Sequence, residues 1–276
     1  MRNWIKDEYV IVTGASGGIG RELCKRFVQK YGAKVLGVGR NEEKMRSLKN
    51  ELGENFTYRL FDVSERENWV AFKAYLLSEN ISPRLLVNNA GAFPTFEKVT
   101  ETTAETAERI TCVNYFSAVY SVEQLSSLLS GTKKDKPAIV NVASSAALCT
   151  VCGTGVYSAS KAALKSYTEA LQMEEKGKKY IGLICPGTTA TNLFDGDENT
   201  QNSALQHIAM PAPKMAKKIA KSILRKKKRA VLGWDAKCMA FFTRLMPVKG
   251  LFVVRWVMKV SKSKVFQRVF DYDIKK

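Results

Sequence analysis

Tyr157 and Lys161 stand four residues apart in a stretch of helical periodicity, and Ser144 precedes the tyrosine by thirteen residues. Positions i and i+4 share one face of a helix, so the phenol can lie beside the ammonium. A tyrosine in water titrates near pH ~10, and an adjacent cation lowers such a value by about 1–3 units. A phenol tuned in this way exchanges protons near neutrality. One tyrosine alone could as well anchor its helix, but Ser144 and Lys161 in register with it favour an active site.

The elements that must position these residues alternate along the whole chain. Short β-type runs fall at Tyr9 to Val12, Lys34 to Val38, Phe56 to Phe61, Arg84 to Val87, Ala138 to Val142, Tyr180 to Cys185 and Ala230 to Leu232. Helical patterns lie between them, at Arg21 to Tyr31, Glu42 to Leu52, Glu65 to Leu77, Glu101 to Leu129, Tyr157 to Lys176 and Lys214 to Lys227, with apolar residues three or four apart. This order predicts an α/β fold: a doubly wound, Rossmann-type parallel sheet of about seven strands with helices on both faces, plus a helical C-terminal extension. Residues 1–233 are expected to form this Rossmann-type, dinucleotide-binding and catalytic domain, and 234–276 a basic and apolar helical extension of it. In that extension Asp235 is expected to N-cap a helix running to Met246, and a second helix starts at Leu251. The apolar run from Leu251 to Met258 is far short of the roughly 20 residues a membrane span requires.

Between the first strand and the first helix lies Thr13-Gly14-Ala15-Ser16-Gly17-Gly18-Ile19-Gly20. Missing side chains at Gly14, Gly18 and Gly20 let backbone N–H groups approach a pyrophosphate, and the helix N-terminus adds partial positive charge. The spacing is GxxxGxG, and by itself such a cluster could be no more than a tight turn.

Composition narrows the remaining classes. Of 276 residues, 45% are apolar and 25% charged, which excludes disordered and disulfide-scaffold chains. Six scattered cysteines and an N-terminus without the apolar core of a signal peptide predict a reducing, cytoplasmic setting. Cys149 and Cys152 form a lone CxxC, better read as small lining side chains than as a redox or zinc site. His207 is the only histidine, so a histidine-based triad has no material and no metal site is expected. Of the net charge of +18, the stretch from Lys214 to Lys276 carries +16, nineteen Lys/Arg against three Asp/Glu. An acidic partner or a plain solvated face would both account for it.

The glycine stretch, Asp62-Val63, Asn88-Asn89-Ala90-Gly91, Asn114, Ser144, Tyr157-Ser158-Ala159-Ser160-Lys161 and Pro186-Gly187-Thr188-Thr189-Ala190-Thr191 occur in the order of the short-chain dehydrogenase/reductase family, which the chain resembles from residue 13 to 191. The resemblance implies a homo-oligomeric enzyme that moves a hydride between nicotinamide and a carbonyl or alcohol carbon. It makes Tyr157 the proton donor in reduction and the base in oxidation. Lys161 then binds the nicotinamide ribose and lowers the tyrosine pKa, Ser144 hydrogen-bonds the substrate oxygen, and Asn114 holds a water linking Lys161 to solvent. Cofactor contacts are implied at Gly14, Ser16, Gly17, Gly18, Ile19, Gly20, Asp62, Val63, Asn89, Ala90, Gly91, Pro186, Gly187, Thr189 and Thr191. At the end of the second strand Gly39 takes the position where NAD-dependent relatives carry an acid, and Arg40 follows it. Arg40, with Asn41 beside it, favours the 2′-phosphate of NADP(H), while Gly17, where many NADP-dependent relatives carry a basic residue, leaves NAD(H) open.

Three walls are expected around the hydride site: Ala146 to Cys152, Phe93 to Phe96, and a lid-like segment from Asn192 to Pro213. The first two are largely apolar, and the third, polar at 195–199, is read as a cover with an apolar underside or a plain surface loop. Apolar walls suit a bulky hydrophobic ketone or alcohol, as in hydroxysteroid dehydrogenases, with a 3-oxoacyl reductase of lipid synthesis as the alternative. A cofactor sensor or scaffold is the alternative outside enzymes, opposed by the intact Ser144, Tyr157 and Lys161. Nucleic acid is disfavoured because no recognition motif accompanies the lysines. In the C-terminal segment Phe241, Phe242, Leu245, Phe252, Trp256 and Val257 are expected to be buried, in dimer or tetramer contacts, at a membrane surface touched peripherally, or in the core of their own subunit.

Overall fold

The computed structural model describes residues 3–191, 209–261 and 266–270. Strands β1 (Tyr9–Thr13), β2 (Lys34–Gly39), β3 (Phe56–Leu60), β4 (Leu85–Asn88), β5 (Ala138–Val142), β6 (Tyr180–Pro186) and β9 (Arg229–Leu232) form one sheet in the order β3-β2-β1-β4-β5-β6-β9. All six pairings are parallel. A two-stranded parallel sheet, β7 (Thr189–Ala190) with β8 (Met210–Pro211), adds to the seven expected strands. Its strands are too short to have left a periodicity in the sequence.

The helices are α1 (Gly18–Lys25), α2 (Glu42–Leu52), α3 (Arg66–Ser78), α4 (Ala104–Thr111), α5 (Ser117–Leu125), α6 (Gly155–Glu174), α7 (Ala212–Leu224), α8 (Trp234–Leu245), α9 (Lys249–Val260) and α10 (Gln267–Phe270). Because side chains alternate along a strand, Val10, Val12, Val35, Leu85 and Val140 meet Leu23, Phe27, Met45, Met215 and Ile219 on one side of the sheet. Ile11, Leu36, Val38, Leu86 and Ile139 meet Trp69, Phe72, Leu76, Leu125 and Leu171 on the other. Central strands are therefore buried throughout, as β4, β5 and β6 are.

Several boundaries differ from the sequence expectation. Helix α1 starts three residues early, so Gly18, Ile19 and Gly20 form its first turn, and it ends in a π-helical segment, Arg26–Lys30. The expected long helix from Glu101 begins at Ala104, where the Thr103 side chain accepts a hydrogen bond from Thr106 N, and a π-helical segment, Cys112–Phe116, interrupts it. Gly233, not Asp235, is the N-cap of α8. The Asp235 carboxylate instead accepts a 2.7 Å hydrogen bond from Thr188 N.

The larger correction concerns α8 and α9. Phe241, Phe242, Leu245, Phe252, Trp256 and Val257 are all exposed, so packing in the core of their own subunit is excluded. The two helices bury only Ala236, Gly250 and Met258; neighbouring turns each carry more apolar side chains than one contact stripe can cover. No helix among the described residues is long and apolar enough to cross a membrane.

Candidate active site

The carboxyl ends of the strands carry the site. Thr13 ends β1, and its hydroxyl accepts from the backbone N–H groups of Asn89 and Ala90, each at 2.9 Å, while its carbonyl accepts from Asn89 Nδ2 at 3.0 Å. This buckle holds the glycine loop against the turn after β4. Gly14 and Gly18 have φ of +68° and +51°, a region costly for other residues. A Cβ on Gly20 would overlap the Gly14 carbonyl and lie 2.7 Å from Asn89 Nδ2, whereas one on Gly17 would meet nothing within 4 Å. Gly20 thus packs loop on turn, and Gly17 faces open space.

A single cavity of about 910 Å³ takes in almost every residue singled out from the sequence. At one end lie Arg40, Asn41, Asp62 and Val63; Gly14, Ser16, Gly17, Gly18 and Ile19 line its middle with Asn89, Ala90 and Gly91; Ser144, Tyr157 and Lys161 stand at the other end with Pro186, Gly187, Thr189 and Thr191. Two residues do not line it. Gly20 sits behind the loop, and Asn114 is buried beneath the turn after β4.

Asn114 lies in the π-helical segment, and its side chain is fully engaged. Its Oδ1 accepts from Ala92 N at 2.8 Å, and its Nδ2 donates to Ala92 O at 2.9 Å and to Ser160 Oγ at 3.0 Å. The amide thereby clamps the Gly91 turn onto α6. A Cβ on Gly91 would come within 3.2 Å of both Asn114 Oδ1 and Lys161 Nζ, which shows how closely the three pack.

Ser144 follows β5, and its hydroxyl accepts from Ala146 N at 3.1 Å, closing the 3₁₀ turn Ser145–Ala147. Tyr157 is in the first turn of α6, edge-on to Phe93 with ring centroids 5.2 Å apart. Its phenol is hydrogen-bonded with Ser144, which pulls its pKa down, but burial among apolar walls pulls harder and the net shift is upward. Lys161 is 3% exposed, donates to Val142 O at 3.3 Å, and is driven down by burial to about 8. The i, i+4 spacing alone thus does not lower the phenol. Apolar burial opposes the charged form of both side chains, raising the phenol and lowering the ammonium.

At the far end Arg40 Nη1 donates to Asp62 Oδ2 at 3.0 Å with its side chain 73% exposed. Burial raises the Asp62 carboxyl, yet hydrogen bonds from Ser64 N and Oγ and from Arg40 outweigh it and hold the pKa below the usual range. Asn41 Oδ1 is committed to capping α2 through Lys44 N at 2.8 Å.

Of the expected apolar walls, Phe93 and Phe96 line the cavity, as do Ala146 and Val151. Leu148 instead packs toward Ala143 and Leu164, and Cys149 is buried with its thiol raised by burial. No group of metal-binding side chains occurs among the described residues. Of the lid-like segment, residues 192–208, His207 included, lie outside the described residues. The wall missed in the sequence is C-terminal: Met239 and Phe242 from α8 and Val254, Val257 and Met258 from α9 close over the Tyr157 end.

Also missed is a buried polar chain beneath the site. Ser121 Oγ donates to Asn88 Oδ1, Asn88 Nδ2 to Asn141 Oδ1, and Asn141 Nδ2 to Thr168 Oγ1, each at 2.9 Å. It fixes α6, and hence Tyr157 and Lys161, to β4 and β5. The signal was available: Asn88 and Asn141 are amides inside otherwise apolar strands, a placement that requires partners.

Comparison with known proteins agrees with this geometry. The family model described as short chain dehydrogenase matches residues 8–202. The NADP-dependent 3-hydroxy acid dehydrogenase YdfG of Escherichia coli K12 is 30% identical over 211 residues, covering 74% of this chain and 84% of its own. The NADPH-dependent 1-acyldihydroxyacetone phosphate reductase of Saccharomyces cerevisiae is 30% identical over 279 residues, covering 93% and 90%. Among solved structures, the closed form of serine dehydrogenase complexed with NADP+ superposes with a TM-score of 0.71 at 27% identity, covering 80% of this chain and 92% of that one.

Proposed function

The chain belongs to the short-chain dehydrogenase family, and we propose that it is an NADP(H)-dependent oxidoreductase acting on the carbonyl or secondary alcohol of a bulky hydrophobic substrate. The observation that carries this reading is the convergence of Ser144, Tyr157 and Lys161 at one end of a cavity whose other end holds Arg40. A dinucleotide fits the residues between: the bare backbone at Gly17, the left-handed turns at Gly14 and Gly18, and the N-terminus of α1 suit a pyrophosphate. Arg40 would meet a 2′-phosphate and Asp62 the adenine. When bound, the cofactor supplies or accepts the hydride.

The chain's own residues do the rest. Tyr157 Oη holds the proton that passes to the substrate oxygen in reduction, and takes it back in oxidation. Ser144, already bonded to that phenol, orients the same oxygen. Lys161, buried and pinned by Val142 O, would face a ribose hydroxyl, and its positive charge favours the phenolate that develops on Tyr157. Asn114 is a positioning residue, holding the Gly91 turn against α6. Phe93, Phe96, Val151, Phe242 and Met258 exclude water around the reacting carbon and favour an apolar body of steroid size. A long-chain acyl ketone is the second reading, favoured by the acyl-lipid reductase of yeast, whose similarity extends over 93% of the chain.

Tyr157→Phe tests the reading with a panel of steroid and acyl ketones. Loss of turnover by about 100- to 10,000-fold is expected, with NADPH binding retained. Tight NADPH binding with no ketone reduced by the unaltered protein would instead support a sensor.

A further inference from the structure

We propose that the α8–α9 hairpin docks the protein on an anionic membrane surface, with the mouth of the substrate cavity at the lipid interface. The proposal deepens the reading of a bulky hydrophobic substrate, on which its substrate clause rests: the carbonyl compound would be an amphiphile resident in the bilayer.

Exposed aromatic residues are concentrated on the hairpin. Of the four tryptophans, Trp4 and Trp69 are buried in the core, whereas Trp234, which also borders the cavity, and Trp256, which does not, are 66% and 64% exposed. Phe241, Leu245, Val248, Phe252 and Val260 are also exposed, on the same two helices and the turn between them. Such a surface, unpartnered in water, marks an interaction site.

Charge identifies the occupant. Lys237, Arg244, Lys249, Arg255 and Lys259 are all exposed on these two helices. Their one acid, Asp235, is turned inward to Thr188 N. From 236 to 270 the sequence holds eight Lys/Arg and no Asp/Glu. A second copy docked on this face would oppose cation to cation, whereas anionic headgroups neutralise the basic side chains while acyl chains receive the aromatic ones. Each helix has twelve residues, about 18 Å of length at 1.5 Å per residue, too short to span a hydrocarbon core of about 30 Å. The helices would therefore lie in the interface.

Helix α9 joins this surface to the active site. Val254 and Met258 line the cavity, while Phe252, Trp256 and Val260 point outward and take no part in it. An apolar molecule leaving the bilayer beside α9 would enter the pocket without crossing water.

The test is co-sedimentation of the full chain with phosphatidylcholine vesicles and with vesicles containing 30% phosphatidylglycerol, together with tryptophan emission. We expect at least ten-fold stronger binding to the anionic vesicles, weakened by salt, and a blue shift from Trp234 and Trp256. Phe252→Ser combined with Trp256→Ser should reduce that binding at least ten-fold and leave reduction of a water-soluble ketone unchanged. Lys249→Glu with Lys259→Glu, which spares every apolar side chain, should do the same. Equal affinity for both vesicles, or no binding to either, overturns the proposal. So does sedimentation velocity showing that the unaltered protein is a dimer which the serine pair converts to monomer without affecting vesicle binding. Vesicle binding without turnover of any ketone would sink the enzymatic reading alone.

Discussion

Replacing Lys161 with methionine should stabilise the fold while removing turnover, and the gain should disappear with rising pH. Burial lowers Lys161 from 10.5 to about 8, and at about 1.4 kcal/mol per unit the charged form costs the folded state about 3 kcal/mol. Below pH 8 both folded and unfolded chains hold the proton, so the unaltered protein carries the whole cost. Between about 8 and 10.5 the unfolded chain still holds the proton that the folded chain has released. Stability of the unaltered protein therefore rises with pH across that window. Methionine fills much of the same space without the charge but loses the 3.3 Å bond to Val142 O, a loss of about 1 kcal/mol. The variant should thus be about 2 kcal/mol more stable at pH 7, and this advantage should have largely gone by pH 9.5. Urea unfolding of both proteins without cofactor, followed by circular dichroism at pH 7, 8.5 and 9.5, measures the difference, in which other titrating groups cancel. A difference that stays constant between pH 7 and 9.5 would refute the reasoning, because it would mean that Lys161 folds as an ordinary solvated cation.

Two further substitutions probe the ends of the cavity. Arg40→Ala should weaken NADPH binding about ten-fold, near the lower limit for a charge-assisted bond of about 1.5–3 kcal/mol because the guanidinium is so exposed, and leave NADH binding unchanged; titration calorimetry with both cofactors decides, and an equal loss for the two would remove the 2′-phosphate role. Asp235→Ala deletes the carboxylate that accepts from Thr188 N at 2.7 Å, so we expect about 1.5–3 kcal/mol lower stability in urea and a KM that rises more than kcat falls, with Asp235→Asn recovering part of both; an unchanged KM would mean that α8 keeps its place over the pocket without this tie.

How far the sequence could be read follows from the range of the interactions involved. Short runs of β-type residues and the glycine stretch after Val12 are local signals, and they yielded seven strands whose positions hold to within a residue or two. Ser144, Tyr157 and Lys161 were legible for a related reason: Tyr157 and Lys161 share one helix, and Ser144 closes the strand beside it. Helix ends were read less well, because the π-helical segments at Arg26–Lys30 and Cys112–Phe116 keep the apolar periodicity while adding a residue to the turn. Asp235 shows the limit of capping rules. Its side chain could have served the nearest helix end, but a backbone N–H forty-seven residues away was closer to its carboxylate in the folded chain.

The C-terminal helices make the same point about function. Their sequence announces amphipathic character and a surplus of positive charge, but whether an apolar side chain faces a core, a pocket or solvent depends on how α8 leaves β9. That exit is fixed by Gly233, whose φ of +115° turns the chain, and by Asp235 holding the turn after β6. The two together bring Phe242 and Met258 over Tyr157 and leave Phe252 and Trp256 outside. One helix thus closes the pocket with one face and presents aromatic and basic side chains with the other. Substrate access and surface binding therefore share a single element, and a change that shifts α9 should alter both, whereas a change confined to its outer face should alter binding to the surface alone.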